Sequence, residues 1–342
     1  MRSRLTHAAL RVVALLALAW AAAAFWLDRP GSRWTTGVGT VLILLVGCGA
    51  LIVMRRPWQG FVIAFSVFAA VLIWWLMLPP RGDRDWLEEV SRTPRVTFDG
   101  TRFTVHDLRD FRYGATVGDY VARWDTRTFD LDQLEALDLF VSNWGPKLYV
   151  HTILSWAFAD GQHLAVSIET RKRRGQRYSA VRGFFRQFEL IYVAADERDL
   201  VGLRIGPRHE RVQLFRLQTT PTERRNLLLA FLESMNDLAR RPRWYHAITS
   251  NCTTEVFRHV YRLAPDMALD FRILANGRMP EMLHDLGRLD TALPLPELET
   301  RSVISPEAAD HRDDPDFSRL IRRGLPGFAA DDGSRPGDVS LN

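Results

Sequence analysis

Three uninterrupted apolar stretches before residue 80 constrain this chain more than any other feature. They run from about Ala8 to Leu27, from about Gly37 to Met54, and from about Trp58 to Leu78. Each approaches the roughly 20 residues that an α-helix needs to cross a hydrocarbon core of about 30 Å. Lipid offers no hydrogen bonds, so a spanning segment must satisfy its backbone internally, and each stretch is expected to be helical. Trp74 and Trp75 close the third stretch in the manner of interfacial anchors. Only short polar links separate the spans: Asp28–Thr36 and the turn Arg55-Arg56-Pro57.

The basic residues set an orientation. Arg2, Arg4 and Arg11 flank the first span, and Arg55 and Arg56 lie between the second and third. Placing both groups in the cytoplasm gives a bacterial inner-membrane topology in which everything after Pro79 lies on the periplasmic side. Ala22-Ala23-Ala24 could instead end a cleaved signal peptide. Cleavage would leave two spans and the same side for the rest of the chain.

The expected organisation is a membrane anchor at 1–80, a periplasmic domain at 81–330 and a disordered tail at 331–342. Of the 45 basic residues, only Lys147 and Lys172 are lysines. No basic run alternates with stacking aromatics, so nucleic acid is not an expected partner. The two cysteines exclude a disulfide framework, because Cys48 lies inside a span and Cys252 outside. A lone thiol in an oxidising compartment is a candidate for chemistry.

In the soluble part, residues 83–93 read as a short amphipathic helix. Arg95–Phe98 and Arg102–Val105 read as short strands, and a helical stretch is expected around Leu131–Phe140. Probable strands follow at Lys147–Phe158, His163–Arg171, Phe188–Ala194 and Val212–Leu217, with Asp160-Gly161 as a hairpin turn. Pro221 opens a helix over Thr222–Arg240, and another begins near Cys252. The fold class expected is α+β with a central antiparallel sheet.

In Ser250-Asn251-Cys252-Thr253-Thr254-Glu255, polar capping residues precede an amphipathic run, with Glu255 three positions after Cys252. A thiol at a helix N-terminus meets the positive end of the dipole, which favours the thiolate. Amides there, at Asn251 and Thr253, could bind an oxyanion. A base is also needed, usually histidine oriented by a third group. His151 sits on a defined face of its strand, and His163 begins the partner strand. Glu169, roughly opposite His151, could orient the imidazole or pair with Arg171. His259, seven positions after Cys252, is too far along its own helix to act as base. Cys252 has no His or Cys neighbour at ligand spacing, so neither a metal nor another cofactor is expected. Arg171-Lys172-Arg173-Arg174 reads as a solvated hairpin tip, with anionic lipid headgroups as the functional alternative. Asp196-Glu197-Arg198-Asp199 reads as a salt-bridged turn.

The segments His151-Thr152-Ile153-Leu154-Ser155, Ser167-Ile168-Glu169-Thr170-Arg171, Gln187–Val193, Glu197-Arg198-Asp199 and Asn251-Cys252-Thr253-Thr254 together resemble the Lnb N-terminal periplasmic domain family over about residues 125–265. The order of strand histidine and then helix cysteine also resembles circularly permuted papain-like acyltransferases and hydrolases. The resemblance implies a permuted papain-like fold and a membrane-adjacent thiol acyltransferase. His151 and Cys252 match motif positions, Glu169 matches a family position, and His163 does not match. The function so implied is acyl transfer from membrane lipid or to lipoprotein through an acyl-thioester. A cysteine amidase or peptidase acting on cell-wall or peptide substrates is the main alternative, and a non-catalytic membrane-anchored binding module is the third. The sequence leaves the oligomeric state open.

Overall fold

The computed structural model describes residues 2–29, 31–143, 145, 150–264, 270–273 and 276–328. The expected tail at 331–342 and the first three residues of the strand expected from Lys147 lie outside the described residues. The chain forms two compact units. One holds residues 1–81 with 177–189 and 244–247, and the other holds the rest.

The first unit contains α1 (Arg2–Asp28), α2 (Arg33–Val53) and α3 (Pro57–Met77). All three are long and apolar enough to cross a membrane. Ser32 caps α2 by accepting from the Thr35 amide at 3.2 Å, and Pro57 starts α3 where a missing N–H costs nothing. Small residues let the helices approach closely. A Cβ on Gly60 would stand 2.7 Å from the Ala50 carbonyl oxygen, and one on Gly47 would overlap Leu18. Ala14, Leu18 and Ala64 form the bundle core, with Cys48 packed against it. Leu16, Ile52 and Met77 face outward, as lipid-facing side chains do. Both cysteines are free thiols.

The second unit is a mixed α+β domain. Its strands are β1 (Arg95–Asp99), β2 (Arg102–Arg109), β3 (Arg112–Tyr113), β4 (Tyr120–Val121), β5 (Trp124–Asp130), β6 (Leu134–Asn143), β7 (Val150–Phe158), β8 (His163–Arg171), β9 (Glu189–Ala195) and β10 (Arg211–Arg216). Among the described residues the central sheet runs β1-β2-β9-β8-β7-β6-β10, with β5 also on β2 and a separate β3-β4 pair. The β1/β2, β2/β5, β6/β7, β7/β8 and β6/β10 pairs are antiparallel, while β2 meets β9 in parallel at Arg109 and Ala195 alone. Gly161 takes φ +83° in the β7–β8 turn, a conformation open to glycine and strained for residues with a Cβ.

Helix α4 (Glu197–Ile205) packs Leu200 and Val201 on one face of the sheet, against Ile153, Ala165, Ile191 and Val193. The opposite face carries α5 (Pro221–Arg240), whose Phe231 meets Trp156 and Tyr192 at ring-centroid separations of 5.2 and 5.7 Å. Leu228, Phe231, Leu232 and Met235 of α5 are fully buried, each contributing about 1.5–3 kcal/mol by removal from water. Covered on both sides, β7 is buried along its whole length, which accounts for its nearly continuous apolar run. Helix α6 (Cys252–Leu263) follows, and shorter helices α7 (Met279–Asp285), α8 (Leu295–Arg301) and α9 (Phe317–Leu320) complete the domain.

Four expectations are corrected. The stretch around Leu131–Phe140 is not helical: a single 3-10 turn at Leu131–Gln133 leads into β6. Leu, Ala and Glu favour a helix locally, but β6 lies between β7 and β10, and Leu137, Leu139, Phe140 and Val141 are buried there, so tertiary pairing overrides propensity. Residues 83–93 hold only the turn Glu88–Val90. The Leu87 amide bonds the Lys172 carbonyl and the Arg174 amide bonds the Asp85 carbonyl, both at 2.9 Å, so this segment lies along the end of β8. For the same reason Arg171 is not part of a solvated tip. Its guanidinium is buried, bonds the Val90 and Ser91 carbonyls at 2.9 and 2.7 Å, and lies over the Trp86 ring. Finally, Asp196–Asp199 starts α4 instead of forming a turn. Asp196 is the N-cap, Glu197 pairs with Arg322 at 2.6 Å and Asp199 with Arg109 at 2.6 Å, both carboxylates fully buried.

Candidate active site

Two adjacent strands and the start of one helix bring the sequence candidates together. The β7/β8 register pairs Ile153 with Ser167. Carried two residues further, it sets His151 opposite Glu169, and their side chains meet at 3.2 Å, Nε2 to Oε1. Side chains alternate along a strand, so Ser167 and Glu169 share a face. Ser167 donates its hydroxyl proton to Glu169 Oε1 at 2.7 Å and stands 2.6 Å from His151 Nε2. Arg204, near the end of α4, reaches the same Oε1 at 3.0 Å and is held by the Leu200 carbonyl at 2.8 Å. Glu169 pairs with Arg204 and not with Arg171.

Cys252 is the first residue of α6 and is hydrogen-bonded through its thiol to His151. It is partly accessible. With Nε2 engaged by two oxygens, Nδ1 is the nitrogen left for the thiol. The helix start is strongly fixed. Asn251 is the N-cap, and its side-chain oxygen accepts from the Thr253 and Thr254 amides at 2.9 Å each. The Thr254 hydroxyl accepts from the Asn251 amide at 2.9 Å. The partner in this capping box is therefore Thr254. Glu255 instead turns into the domain, accepting from Ser250 at 2.6 Å and from Arg243 at 3.2 Å. Both amides expected as oxyanion donors are thus already engaged, that of Thr253 by the Asn251 side chain and that of Asn251 by the Thr254 hydroxyl, and the first-turn donor beyond them is the amide of Cys252 itself. Thr253 contributes differently: its hydroxyl lies 3.8 Å from the sulfur.

The charges favour an ion pair. Burial pushes His151 down, but the Glu169 carboxylate and hydrogen bonds to Cys252 and Glu169 outweigh it and raise the imidazole to about 9. Burial pushes the Cys252 thiol up, yet the hydrogen bond and charge of His151, with the Thr253 hydroxyl, bring it below its ordinary value. Burial also opposes ionisation of Glu169, and His151 and Arg204 hold it well below the usual carboxylate range all the same.

The other histidines lie elsewhere. His163 pairs with Ala157 and contacts the Gly161 carbonyl at 3.2 Å. That puts it six residues, about 20 Å, along β8 from Glu169. His259 is a core residue, 2.8 Å from the Tyr192 hydroxyl and packed on Phe231, and burial followed by three nearby arginines lowers it to about 4. His246 belongs to the other unit, edge-on to Phe184.

Sequence reasoning assigned no role to Ser167 or Arg204. The first was within reach, since it lies two residues before Glu169 on a strand. The second was not, because only the folding of α4 onto the sheet brings it to Glu169.

Residues 120–282 match the family model of the Lnb N-terminal periplasmic domain, a span that contains His151, Ser167, Glu169, Arg204 and Cys252. No curated protein and no solved structure matches the chain. Three apolar helices followed by this domain make the chain a membrane-anchored periplasmic protein, and its residues 120–282 belong to the Lnb N-terminal periplasmic domain family.

Proposed function

We propose that this protein is a thiol-dependent acyltransferase of the inner membrane, acting on lipid or lipoprotein through an acyl-thioester. The observation that carries the reading is the Cys252 thiol at a helix N-terminus, hydrogen-bonded to a histidine whose far side is held by Ser167 and Glu169. The arrangement places a partly buried carboxylate, a buried hydroxyl and a buried arginine behind one imidazole, which supports a catalytic reading over a binding module.

In the proposed reaction the Cys252 thiolate attacks an ester carbonyl. The Cys252 amide, aided by the helix dipole, stabilises the oxyanion. As the ester C–O bond breaks, the leaving alkoxide takes a proton from the His151 imidazolium, and an acyl-thioester remains. An amine then attacks the thioester carbonyl and gives its proton to His151. The C–S bond breaks, an amide is released and the thiolate returns. Glu169 holds the imidazolium charge through both steps, and Ser167 fixes the ring. The anchor raises the effective concentration of membrane substrates, since Pro79 and Pro80 leave little chain between α3 and the domain.

The full-length protein, incubated in phospholipid vesicles and weighed intact, tests this. The expected result is a mass gain of one acyl chain that hydroxylamine removes and that Cys252→Ala abolishes. Cleavage of peptide amides with no acyl adduct from lipid would place the same dyad in a hydrolase. No adduct and no cleavage would end the catalytic reading.

A further inference from the structure

The first unit includes a segment that hydropathy does not mark, residues 177–189. It is packed on the carboxyl-terminal ends of α1 and α3. Gln187 donates to the Leu27 carbonyl at 2.7 Å and to Asp28, and the Arg186 amide donates to Asp28 at 3.3 Å. Trp75 donates to the same carboxylate at 2.7 Å. The Arg186 guanidinium lies over the Trp75 ring at 4.5 Å and bonds the Leu78 carbonyl.

The depth of the segment follows from its aromatic contacts. Phe185 stacks on Trp20 at 6.4 Å, and Trp20 also meets Phe68 at 5.7 Å and Trp75 at 5.2 Å. Trp20 precedes Asp28 by eight residues in α1, or about 12 Å along the axis. Phe68 lies ten residues before Leu78, the C-cap of α3, about 15 Å below that end. Phe185 therefore sits beside the apolar part of the spans. Phe184 beside it is 40% exposed, and Tyr178 and Val181 earlier in the segment are 51 and 65% exposed, so a bilayer around the spans would meet apolar side chains here.

Four consecutive amides of the segment, from Arg182 to Phe185, have partners within the first unit. The Gly183 amide bonds the Ser179 and Ala180 carbonyls at 3.0 Å, Phe184 bonds Val181 at 3.2 Å, and Phe185 bonds Arg182 at 3.1 Å. The Arg182 amide uses the Ser179 hydroxyl at 3.4 Å, and the Gly183 carbonyl accepts from Ala247 at 2.8 Å. Irregular backbone is tolerated at membrane depth where protein covers it, as it does here at the buried Gly183, Phe185 and Gln187. Arg177 and Arg182 are exposed among the apolar side chains and can extend to lipid phosphates.

We infer that residues 177–187 form an interfacial membrane element, with Tyr178, Val181 and Phe184 inserted among the acyl chains of the periplasmic leaflet and Arg177 and Arg182 at its phosphates. The element gives the first unit a second part of the chain that meets the bilayer, and it stands on the three spans and not on the thiol chemistry. The partner it fits is the bilayer surface.

The test uses the full-length chain with Cys48→Ala and Cys252→Ser, reconstituted in vesicles of phosphatidylethanolamine and phosphatidylglycerol. Single cysteines are introduced as Val181→Cys, Phe184→Cys and, as a water-exposed control in the domain, Gln133→Cys, and each is labelled with an environment-sensitive fluorophore. Labels at 181 and 184 are expected to emit to the blue of the control, to be quenched by lipids carrying a spin label on the acyl chain, and to resist aqueous iodide. The inference is overturned if both labels emit like the control and are quenched by iodide alone. The control label reports that the variant has reconstituted, and the site substitution removes any dependence on turnover.

Discussion

His151 and Ser167 share a 2.6 Å hydrogen bond whose direction is fixed by a third residue. Ser167 gives its only proton to Glu169, so its oxygen can only accept, and Nε2 of His151 must be the donor. The neutral ring is thereby held in the tautomer that leaves Nδ1 free to take the thiol proton. One strand hydroxyl thus sets the protonation of a base on the neighbouring strand.

Ser167→Ala should leave the fold intact, since it removes one small hydroxyl, but Nε2 would keep only the 3.2 Å contact to Glu169. The imidazolium is less well held, and the onset of Cys252 alkylation is expected to move to higher pH. Alkylation rates measured against pH by mass spectrometry would read the shift, and an unchanged profile would remove Ser167 from the account.

Glu169→Gln removes the negative charge that holds His151 at about 9. Burial then dominates and the imidazole should fall back towards or below its ordinary value. Acyl transfer should drop by about 10²–10⁴-fold, the scale of a general acid–base contribution. Histidine titration by NMR separates this electrostatic effect from unfolding.

Asn251→Ala removes the acceptor of two first-turn amides. The loss should be about 1 kcal/mol of stability, the usual worth of an N-cap. Because those amides become free, the helix start of α6 should also fray, which hydrogen exchange at Thr253 and Thr254 would detect.

Arg322 joins two fully buried carboxylates, Asp138 at 2.8 Å and Glu197 at 2.6 Å. Arg322→Leu would leave Glu197 with the Ser155 hydroxyl and, among the described residues, no paired cation, and Asp138 with Arg216, and a cost of about 3 kcal/mol is expected from chemical denaturation. The same cluster sets an acid limit. Burial opposes ionisation of Glu197, but Arg322 and its other partners depress it to about 2. A depressed carboxylate contributes stability above its unfolded value of 4.5, and that contribution is lost as pH falls from there through about 2. Thermal unfolding of the wild type should weaken over that window, and less so in Arg322→Leu.

Much of this was legible in the chain. Uninterrupted apolar length marks a span whatever packs beside it, so α1, α2 and α3 were readable directly. The Asp160-Gly161 turn fixed the β7–β8 hairpin and with it the facing of His151 and Glu169. Pro221 and the apolar spacing of α5 did the same for that helix. What escaped was decided by tertiary placement. Leu134–Asn143 carries helix-forming residues that strand pairing overrides. Arg171, Glu197 and Asp199 look like surface charge until the residues that neutralise or bond them, distant in sequence, are brought in. The segment at 177–187 mixes arginine with isolated apolar residues, a pattern shared with ordinary loops, and only its contacts with Trp20, Asp28 and Trp75 distinguish it.

The proposed chemistry rests on Cys252 and His151 as a thiolate–imidazolium pair. Its most direct test is the rate of iodoacetamide alkylation of Cys252 from about pH 5 to about pH 10, in full-length Cys48→Ala protein with and without His151→Ala. The expected onset lies below the ordinary thiol range near about 8.5 and moves upward in His151→Ala, because burial then acts on the thiol alone. A wild-type profile at or above the ordinary range, unaltered by His151→Ala, would contradict it.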